Sequence, residues 1–328
     1  MSVLIAGGAG YIGSHMARLL AERGIAAAVL DDLSAGHRDA IEGVPLVQGR
    51  VQDREAVRRA LAVHPAAAAA MHFASLIRVG ESVSHPARYY GNNVAGTVSL
   101  LEALCEAGVK RFIFSSSAGV YGEPDATPIA ESHPARPLNP YGRTKLMVEQ
   151  MLPDYERAYG LQWVALRYFN AAGAHPDGSI GERHEPETHL IPLALRAASG
   201  RIPRLTVFGT DYPTPDGTCI RDYVHVMDLA EAHLLALQYL ENGGESRAFN
   251  LGNGGGFSVK QVIGSVERVT GRKVPVEYGP RRAGDPAVLV ADASAAREIL
   301  GWKPRYADLD TIVEHAWAWE RRLASMPG

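Results

Sequence analysis

Tyr141 and Lys145 stand four residues apart in Asn139-Pro140-Tyr141-Gly142-Arg143-Thr144-Lys145, a spacing that puts both on one face of a helix. Free tyrosine has a pKa of ~10 and is a poor base at neutral pH. A neighbouring ammonium and the positive end of a helix dipole both favour its phenolate. Asn139 suits the N-cap and Pro140 the first helical position. Alone, a Y-x-x-x-K pair is more often a surface tyrosine beside a solvated lysine. Phe112-Ile113-Phe114-Ser115-Ser116-Ser117 shifts that balance. It reads as a strand running into three hydroxyls, and open α/β sheets bind ligands at the carboxyl ends of their strands. A serine there can meet the Tyr141 hydroxyl at a substrate oxygen.

A second constellation opens the chain. Gly7-Gly8-Ala9-Gly10-Tyr11-Ile12-Gly13 has the spacing G-x-x-G-x-x-G and lies between a strand and a helix. Such a turn lets the backbone approach a pyrophosphate and aims a helix N-terminus at its charge. The next strand ends in Asp31-Asp32, 18 residues after Gly13. An acid there can accept hydrogen bonds from a ribose diol and would repel a 2′-phosphate, so the pattern points to NAD rather than NADP.

These residues need elements to hold them. Over the first 170 residues, short apolar runs alternate with amphipathic stretches. Strands are expected at Val3–Ala6, Ala26–Leu30, Pro45–Val47, Ala66–Phe73, Arg111–Ser115 and Trp163–Tyr168. Helices are expected at Ile12–Arg23 and Arg54–Val63, within Ala87–Ala107, and from Tyr141 onward. Strands apolar on both faces and separated by helices argue a parallel sheet covered on both sides. Residues 171–220, rich in Pro, Gly and His, show little periodicity. Helices at Asp228–Leu240, Val259–Thr270 and Asp310–Arg321, with strands at Phe249–Leu251 and Val274–Tyr278, read as a second, smaller α/β region. The boundary is set at 1–171 and 172–328, with later segments able to return to the first sheet.

Composition narrows the function classes. The 328 residues are 46% hydrophobic and 21% charged, as in a folded globule. Net charge is 33 − 36 = −3, so no global basic field holds nucleic acid. No apolar run reaches the ~18 residues of a membrane span, and MSVLIAGGAG does not read as a signal peptide. Cys105 and Cys219 form neither a disulfide framework nor C-x-x-C, which fits a reducing cytoplasm. His184 and His189 are close in sequence, but no His/Asp/Glu spacing makes a convincing metal site, so none is expected.

With these motifs in order, the chain resembles the extended short-chain dehydrogenase/reductases and, within them, the UDP-glucose 4-epimerase family. The resemblance runs through GGAGYIGSH at 7–15, VGESV at 79–83, YYGNNVAGT at 89–97 and FSSSAGVYGE at 114–123. It continues in PYGRTKLMVEQ at 140–150, LRYFNAAGAHP at 166–176, GTCIRDYVHVMDLA at 217–230 and GDPAVLVADAS at 284–294. It implies a Rossmann-type doubly wound sheet with a C-terminal substrate-binding domain, tightly bound NAD, and reversible conversion of UDP-galactose and UDP-glucose. It also implies a homodimer through the helices near 87–107 and 141–158. By matching motif, Tyr141 is the base, Lys145 holds the nicotinamide ribose, and Ser117 bonds the reacting oxygen. Gly7, Gly10, Tyr11, Ile12, Gly13 and Asp31 correspond to cofactor contacts, as do Phe73, Ala74, Asn92 and Tyr168. Asn170, Leu190, Phe208, Arg221, Arg282 and Asp285 correspond to nucleotide-sugar contacts, and Leu289 to the wall of the hexose pocket.

Departures from the family pattern fall elsewhere. Arg50 stands where an acid is usual, Ile77 replaces a lysine, His189 an asparagine and Gly119 a hydroxyl residue. Pro153 falls within the expected catalytic helix and is expected to kink it or end it nearby. Sugar-nucleotide dehydratases resemble these epimerases but carry an Asp–Glu pair where this chain has Ala118 and Gly119. An epimerase of another UDP-sugar (an N-acetylhexosamine or a pentose) is the nearer alternative. A non-enzymatic NAD-binding module could dispense with Tyr141 and Lys145, which this chain keeps.

Overall fold

The computed structural model describes residues 2–64, 67–282 and 285–326. Ala66, the first residue of the strand expected over 66–73, and Gly284 of the 284–294 motif lie outside them. The N-terminal half runs β1 (Ser2–Ala6), α1 (Tyr11–Glu22), β2 (Ala26–Asp31), β3 (Leu46–Gln48), α2 (Arg54–Val63) and β4 (Ala67–His72). Then come α3 (Val79–Ser84), α4 (Pro86–Tyr89), α5 (Gly96–Glu106), β5 (Arg111–Ser115), α6 (Pro140–Tyr159) and β6 (Gln162–Tyr168). The rest runs β7 (Asn170–Ala172), α7 (Leu190–Ala198), β8 (Leu205–Phe208), β9 (Ile220–Arg221), β10 (Tyr223–His225), α8 (Val226–Glu241) and β11 (Arg247–Leu251). It ends with β12 (Phe257–Ser258), α9 (Val259–Thr270), β13 (Val276–Gly279), β14 (Val288–Leu289), α10 (Ser294–Ile299) and α11 (Leu309–Ser325).

Among the described residues, seven parallel strands form one sheet in the order β11-β6-β5-β4-β1-β2-β3. Both faces are buried, and the strand period divides them. Val3, Ile5, Val29, Ile113 and Val164 join a core with Met16 and Leu20 of α1 and Leu234 and Leu237 of α8. Leu4, Ala6, Leu30, Phe112 and Phe114 point the other way, onto Val57, Leu100, Leu104, Val148 and Leu152. Successive strand residues face opposite sides, so continuous apolar runs are what a doubly covered sheet requires. Strand order reverses between β1 and β4, and the crevice at their carboxyl ends is where ligands bind in such sheets.

The helix expected within Ala87–Ala107 is a helical run from Pro86 to Glu106, interrupted by a π-helical turn over Tyr90–Ala95. Such bulges re-aim side chains, and this one carries Asn92. The stretch 171–220 holds β7, α7, β8 and β9. In α7, LIPLALRAA is apolar on most sides and contains Pro192, which the first helical turn tolerates. Its signal is therefore weak in sequence. Strands β10 and β7 pair in parallel, β13 pairs β8, and β9 lies between β12 and β14. Asp222 accepts from the consecutive Asn253 and Gly254 amides and from the distant Ala291 amide, and so ties these short pieces together.

The expected break at Pro153 does not end α6, which continues to Tyr159 and closes on Gly160 in the left-handed conformation. Pro153 lies on the exposed face, where a carbonyl deprived of its helical donor can be hydrated.

Candidate active site

Helix α6 begins as its sequence dictates. The Asn139 side chain accepts from the Gly142 amide at 2.9 Å, and Pro140 fills the first turn. A Cβ on Gly142 would lie 2.3 Å from the Gly119 carbonyl oxygen. This close approach brings Tyr141 against the loop after β5. In that loop Ser117 caps a short 3-10 turn, its hydroxyl accepting from the Gly119 amide at 3.1 Å. A Cβ on Gly119 would come 3.3 Å from Ser117 Oγ and 3.7 Å from the Tyr141 ring, so glycine leaves space between the two.

Lys145 is buried one turn along α6. Its Nζ donates to the Ser115 carbonyl at 2.7 Å and to Ser75 Oγ at 2.8 Å, and lies 5.9 Å from the Tyr141 ring centroid. Burial pulls its pKa down to about 7, with Glu149 opposing. Burial also raises the Tyr141 pKa, against a hydrogen bond from Ser117 that lowers it. Of these two causes burial is the larger in the free protein.

A network missed by sequence reasoning holds α6 in place. Arg167 donates through Nε to both oxygens of Glu149, at 3.0 and 3.1 Å, and Ser116 Oγ donates to Glu149 at 2.5 Å. Arg167 also reaches the Tyr121 hydroxyl, which donates to Asn250. No short-range spacing signals these pairs.

The glycine turn passes a fit test for a dinucleotide. Gly7 has φ +79°, and a Cβ there would strike Ala74 N at 2.4 Å. A Cβ on Gly13 would lie 2.2 Å from the Gly7 carbonyl oxygen. Gly10 differs, since the nearest atom to a Cβ there would be the Gly7 carbonyl oxygen, at an ordinary 3.5 Å. Its openness leaves room for a ligand phosphate at the start of α1, which has no side-chain cap and no acid in its first turn. Tyr11 and Ile12 form that first turn, and the Tyr11 hydroxyl donates to the Gly173 carbonyl.

Asp31 ends β2, almost buried. Its two oxygens accept from the Ala9 and Leu33 amides at 2.9 and 2.8 Å. Burial raises its pKa against those two bonds. Phe73 and Ala74 follow β4 across the crevice, and the Phe73 amide donates to the Ala6 carbonyl. Phe73 and Tyr168 both pack on the His233 ring, with centroids 4.8 and 6.3 Å away. Asn92 bonds Gln52 and Asn93. Arg50 is exposed, with Nε 3.4 Å from Asp32, so its departure from an acid places a solvated cation at the rim.

The nucleotide-sugar candidates lie opposite. Asn170 Nδ2 donates to the Asp222 carbonyl at 2.9 Å. Leu190 opens α7 after His189. The Arg282 guanidinium covers the Phe208 ring at 3.9 Å. Arg221 forms an ion pair with Asp285, and the charges of Arg221, Asp285 and Arg282 all reach the buried Cys219 thiol. Leu289 pairs with Arg221 in the β14–β9 ladder and packs on the cluster of Ala118, Val120, Tyr121 and Ile129. That cluster includes the turn capped by Ser117, so Leu289 sits on the catalytic side of the second region.

His189 turns toward Glu182 and Glu187, at 2.6 and 3.1 Å. Burial disfavours its charge, but those carboxylates win and hold its pKa up at about 10. Sequence spacing suggests no metal set here, yet Glu182, His184, Glu187 and His189 converge.

A family model described as the NAD dependent epimerase/dehydratase family matches residues 3–252. A UDP-glucose 4-epimerase of Halalkalibacterium halodurans is 52% identical over 321 residues, covering 98% of this chain and 96% of that relative. The crystal structure of UDP-glucose 4-epimerase from Brucella ovis in complex with NAD matches with TM-score 0.94 at 52% identity, over 96% of this chain and 97% of that one. The UDP-glucose 4-epimerase of Stenotrophomonas maltophila, with bound NAD and formylated UDP-arabinopyranose, matches with TM-score 0.94 at 43% identity, over 99% of each chain.

Proposed function

The chain belongs to the NAD dependent epimerase/dehydratase family, and from that premise we propose that it reversibly converts UDP-galactose and UDP-glucose at C4. The route passes through a transient 4-keto sugar, with NAD held in the crevice between β1 and β4. The observation that carries this reading is the meeting of Tyr141, Lys145 and Ser117 at the carboxyl ends of the central strands, beside an open glycine turn.

Tyr141 is the proton acceptor for the sugar 4-hydroxyl, and Ser117 hydrogen-bonds the same oxygen. Bound NAD supplies the acceptor for the C4 hydride and its return. Lys145, already anchored to Ser75 and Ser115, holds the nicotinamide ribose and adds positive charge near Tyr141. The turn of Gly7, Gly10 and Gly13 receives the pyrophosphate, and Asp31 receives the adenosine ribose. Tyr11, Ile12, Phe73, Ala74, Asn92 and Tyr168 line the remaining cofactor surface.

Asn170, Leu190 and Phe208 bind the uridine side, and Arg221 and Arg282 hold the diphosphate through guanidinium forks, with Asp285 orienting Arg221. Anchored there, the 4-keto hexose can turn its other face to the cofactor before the hydride comes back. Residues 1–171 hold the dinucleotide, and 172–328 hold the nucleotide sugar, with β11 and α8 returning to the first sheet. Among the described residues no helix is long and apolar enough to cross a membrane. We place the protein in the cytoplasm as a homodimer through α5 and α6, where Met147 is exposed. Sedimentation equilibrium gives a two-chain mass if that holds.

Purified protein should convert UDP-galactose to UDP-glucose without added NAD and release NAD on denaturation. Protein that carries and binds no NAD, or that leaves UDP-galactose unchanged, overturns the reading. A half-buried leucine at 289 favours a secondary activity on UDP-N-acetylglucosamine. Elimination of water has no support, because Ala118 and Gly119 offer no acid or base.

A further inference from the structure

Four ligand-type side chains converge behind the glycine turn, outside the chemistry assigned above. Glu182, His184, Glu187 and His189 each present one nitrogen or oxygen, all within 4.8 Å of one another. His184 Nδ1 lies 3.0 Å from Glu182 Oε1, and His189 Nδ1 lies 2.6 Å from the same oxygen. Both carboxylates are buried, Glu182 at 5% and Glu187 at 8% exposure.

One buried acceptor is left over. Glu187 Oε1 accepts from the Thr188 and His189 amides at 2.7 and 2.8 Å. Its other oxygen, Oε2, is buried and has no hydrogen-bond partner, in a side chain with 0% exposure. A buried acceptor left without a partner costs about 1–3 kcal/mol, and more when it is charged. A divalent cation among these four side chains would take up that unused lone pair.

The donor set selects the ion. Two imidazoles and two carboxylates suit a borderline metal, whereas Mg²⁺ and Ca²⁺ favour oxygen ligands. Four protein ligands make a tetrahedral site of structural type. We propose that Glu182, His184, Glu187 and His189 bind one zinc-class divalent cation, which cross-links the 182–189 segment where it packs beside Tyr11 of the dinucleotide-binding turn.

The surroundings fit a fastening role. The Tyr11 ring meets the His184 ring edge-on at 6.2 Å, and its hydroxyl donates to the Gly173 carbonyl. Trp319 of α11 donates through Nε1 to the Glu182 carbonyl at 2.7 Å. The His37 ring, from the loop after β2, lies 3.1 Å from the Arg183 carbonyl. An ion here would fix the 182–189 segment, against which α1, that loop and α11 pack.

The test uses the purified full chain with its own NAD, stripped of metal with a chelator and titrated with Co²⁺. Cobalt should bind at one equivalent per chain with the visible absorption of a tetrahedral centre, be displaced by Zn²⁺, and resist excess Mg²⁺. His184→Ala and Glu187→Gln should each weaken binding at least ~100-fold, beyond the 10–100-fold cost of losing an outer-shell partner. His85→Ala, an exposed imidazole elsewhere, should leave it unchanged. Circular dichroism and NAD content report whether each variant is folded. If both ligand variants unfold, the wild-type melting temperature decides, because a specific site must raise it on Zn²⁺ addition. No stoichiometric cobalt binding, equal binding in a folded His184→Ala variant, or no melting shift would overturn the proposal. None of these readouts depends on epimerase activity, so its failure is distinct from failure of the functional reading.

Discussion

Burial raises the Tyr141 pKa in the free protein, so its proposed service as a base depends on what enters the crevice beside it. Removing its hydroxyl should therefore cut turnover without disturbing the fold. Tyr141→Phe is expected to lower UDP-galactose epimerisation by at least ~100-fold, within the ~10²–10⁴ that general acid–base groups contribute. NAD content, read from the released nucleotide, should persist. Near-normal turnover would exclude Tyr141 as the base. Lys145 makes a different prediction, in stability. Its pKa is about 7 when folded, against ~10.4 in an unfolded chain. Between these values the unfolded chain holds more protons, so stability rises with pH across that window and the cost of the buried charge is fully present below it. Lys145→Met should remove this slope. Urea denaturation at pH 7 and pH 9, at matched NAD occupancy, should show wild type gaining on the variant at the higher pH. Parallel behaviour of the two proteins would refute the buried-lysine account.

Helix α6 carries two of the three catalytic candidates, and its fixed position rests on Glu149 as much as on its cap. Glu149→Gln leaves the Arg167 guanidinium, 12% exposed, without its counter-charge. Breaking one side of a buried pair costs about 3–5 kcal/mol, so the denaturation midpoint should fall well below that of wild type. An unchanged midpoint would refute the account of Glu149 as the buried partner on which Arg167 depends. The start of α6 was legible because Asn139 and Pro140 are local signals, and β1, β5 and α9 were legible because their apolar period and boundaries are local too. Glu149–Arg167 is a meeting of α6 with β6, and Lys145–Ser75 joins residues 70 apart, so neither leaves a spacing to read. Helix α7 was hidden by its nearly uniform apolar surface. Pro153 misled in the opposite sense, since a proline on an exposed helical face does not force an end. The convergence of Glu182, His184, Glu187 and His189 was not legible because their spacing along the chain does not show that the four side chains point together.

At the scale of the whole molecule, Leu289 lies where the second region packs against the loop after β5, and we propose that substrate choice is set there. Strand β14 pairs with β9, which supplies Arg221, so the residue is tied to the proposed diphosphate anchor. On its other side it packs with Ala118 and Val120, next to the turn capped by Ser117. A side chain spanning those two contacts can sense the size of a sugar held between anchor and base. Leucine lacks the ring and hydroxyl of tyrosine and leaves more room for a 2-acetamido group. That group must also clear the wall while the hexose turns over, which needs more space than static binding. UDP-glucose and UDP-galactose should therefore be the main pair, with weaker turnover of UDP-N-acetylglucosamine. Leu289→Tyr should lower the N-acetylated activity relative to the main one by about 10-fold or more, the scale on which pocket volume discriminates. Because the change is in the pocket wall and not at Ser117, Tyr141 or Lys145, the main activity should be largely spared. Measuring kcat/KM for both sugars in both proteins decides the matter. No N-acetylated turnover in wild type, or an unchanged ratio in the variant, would remove Leu289 from the pocket wall and leave it as a packing residue between the two regions.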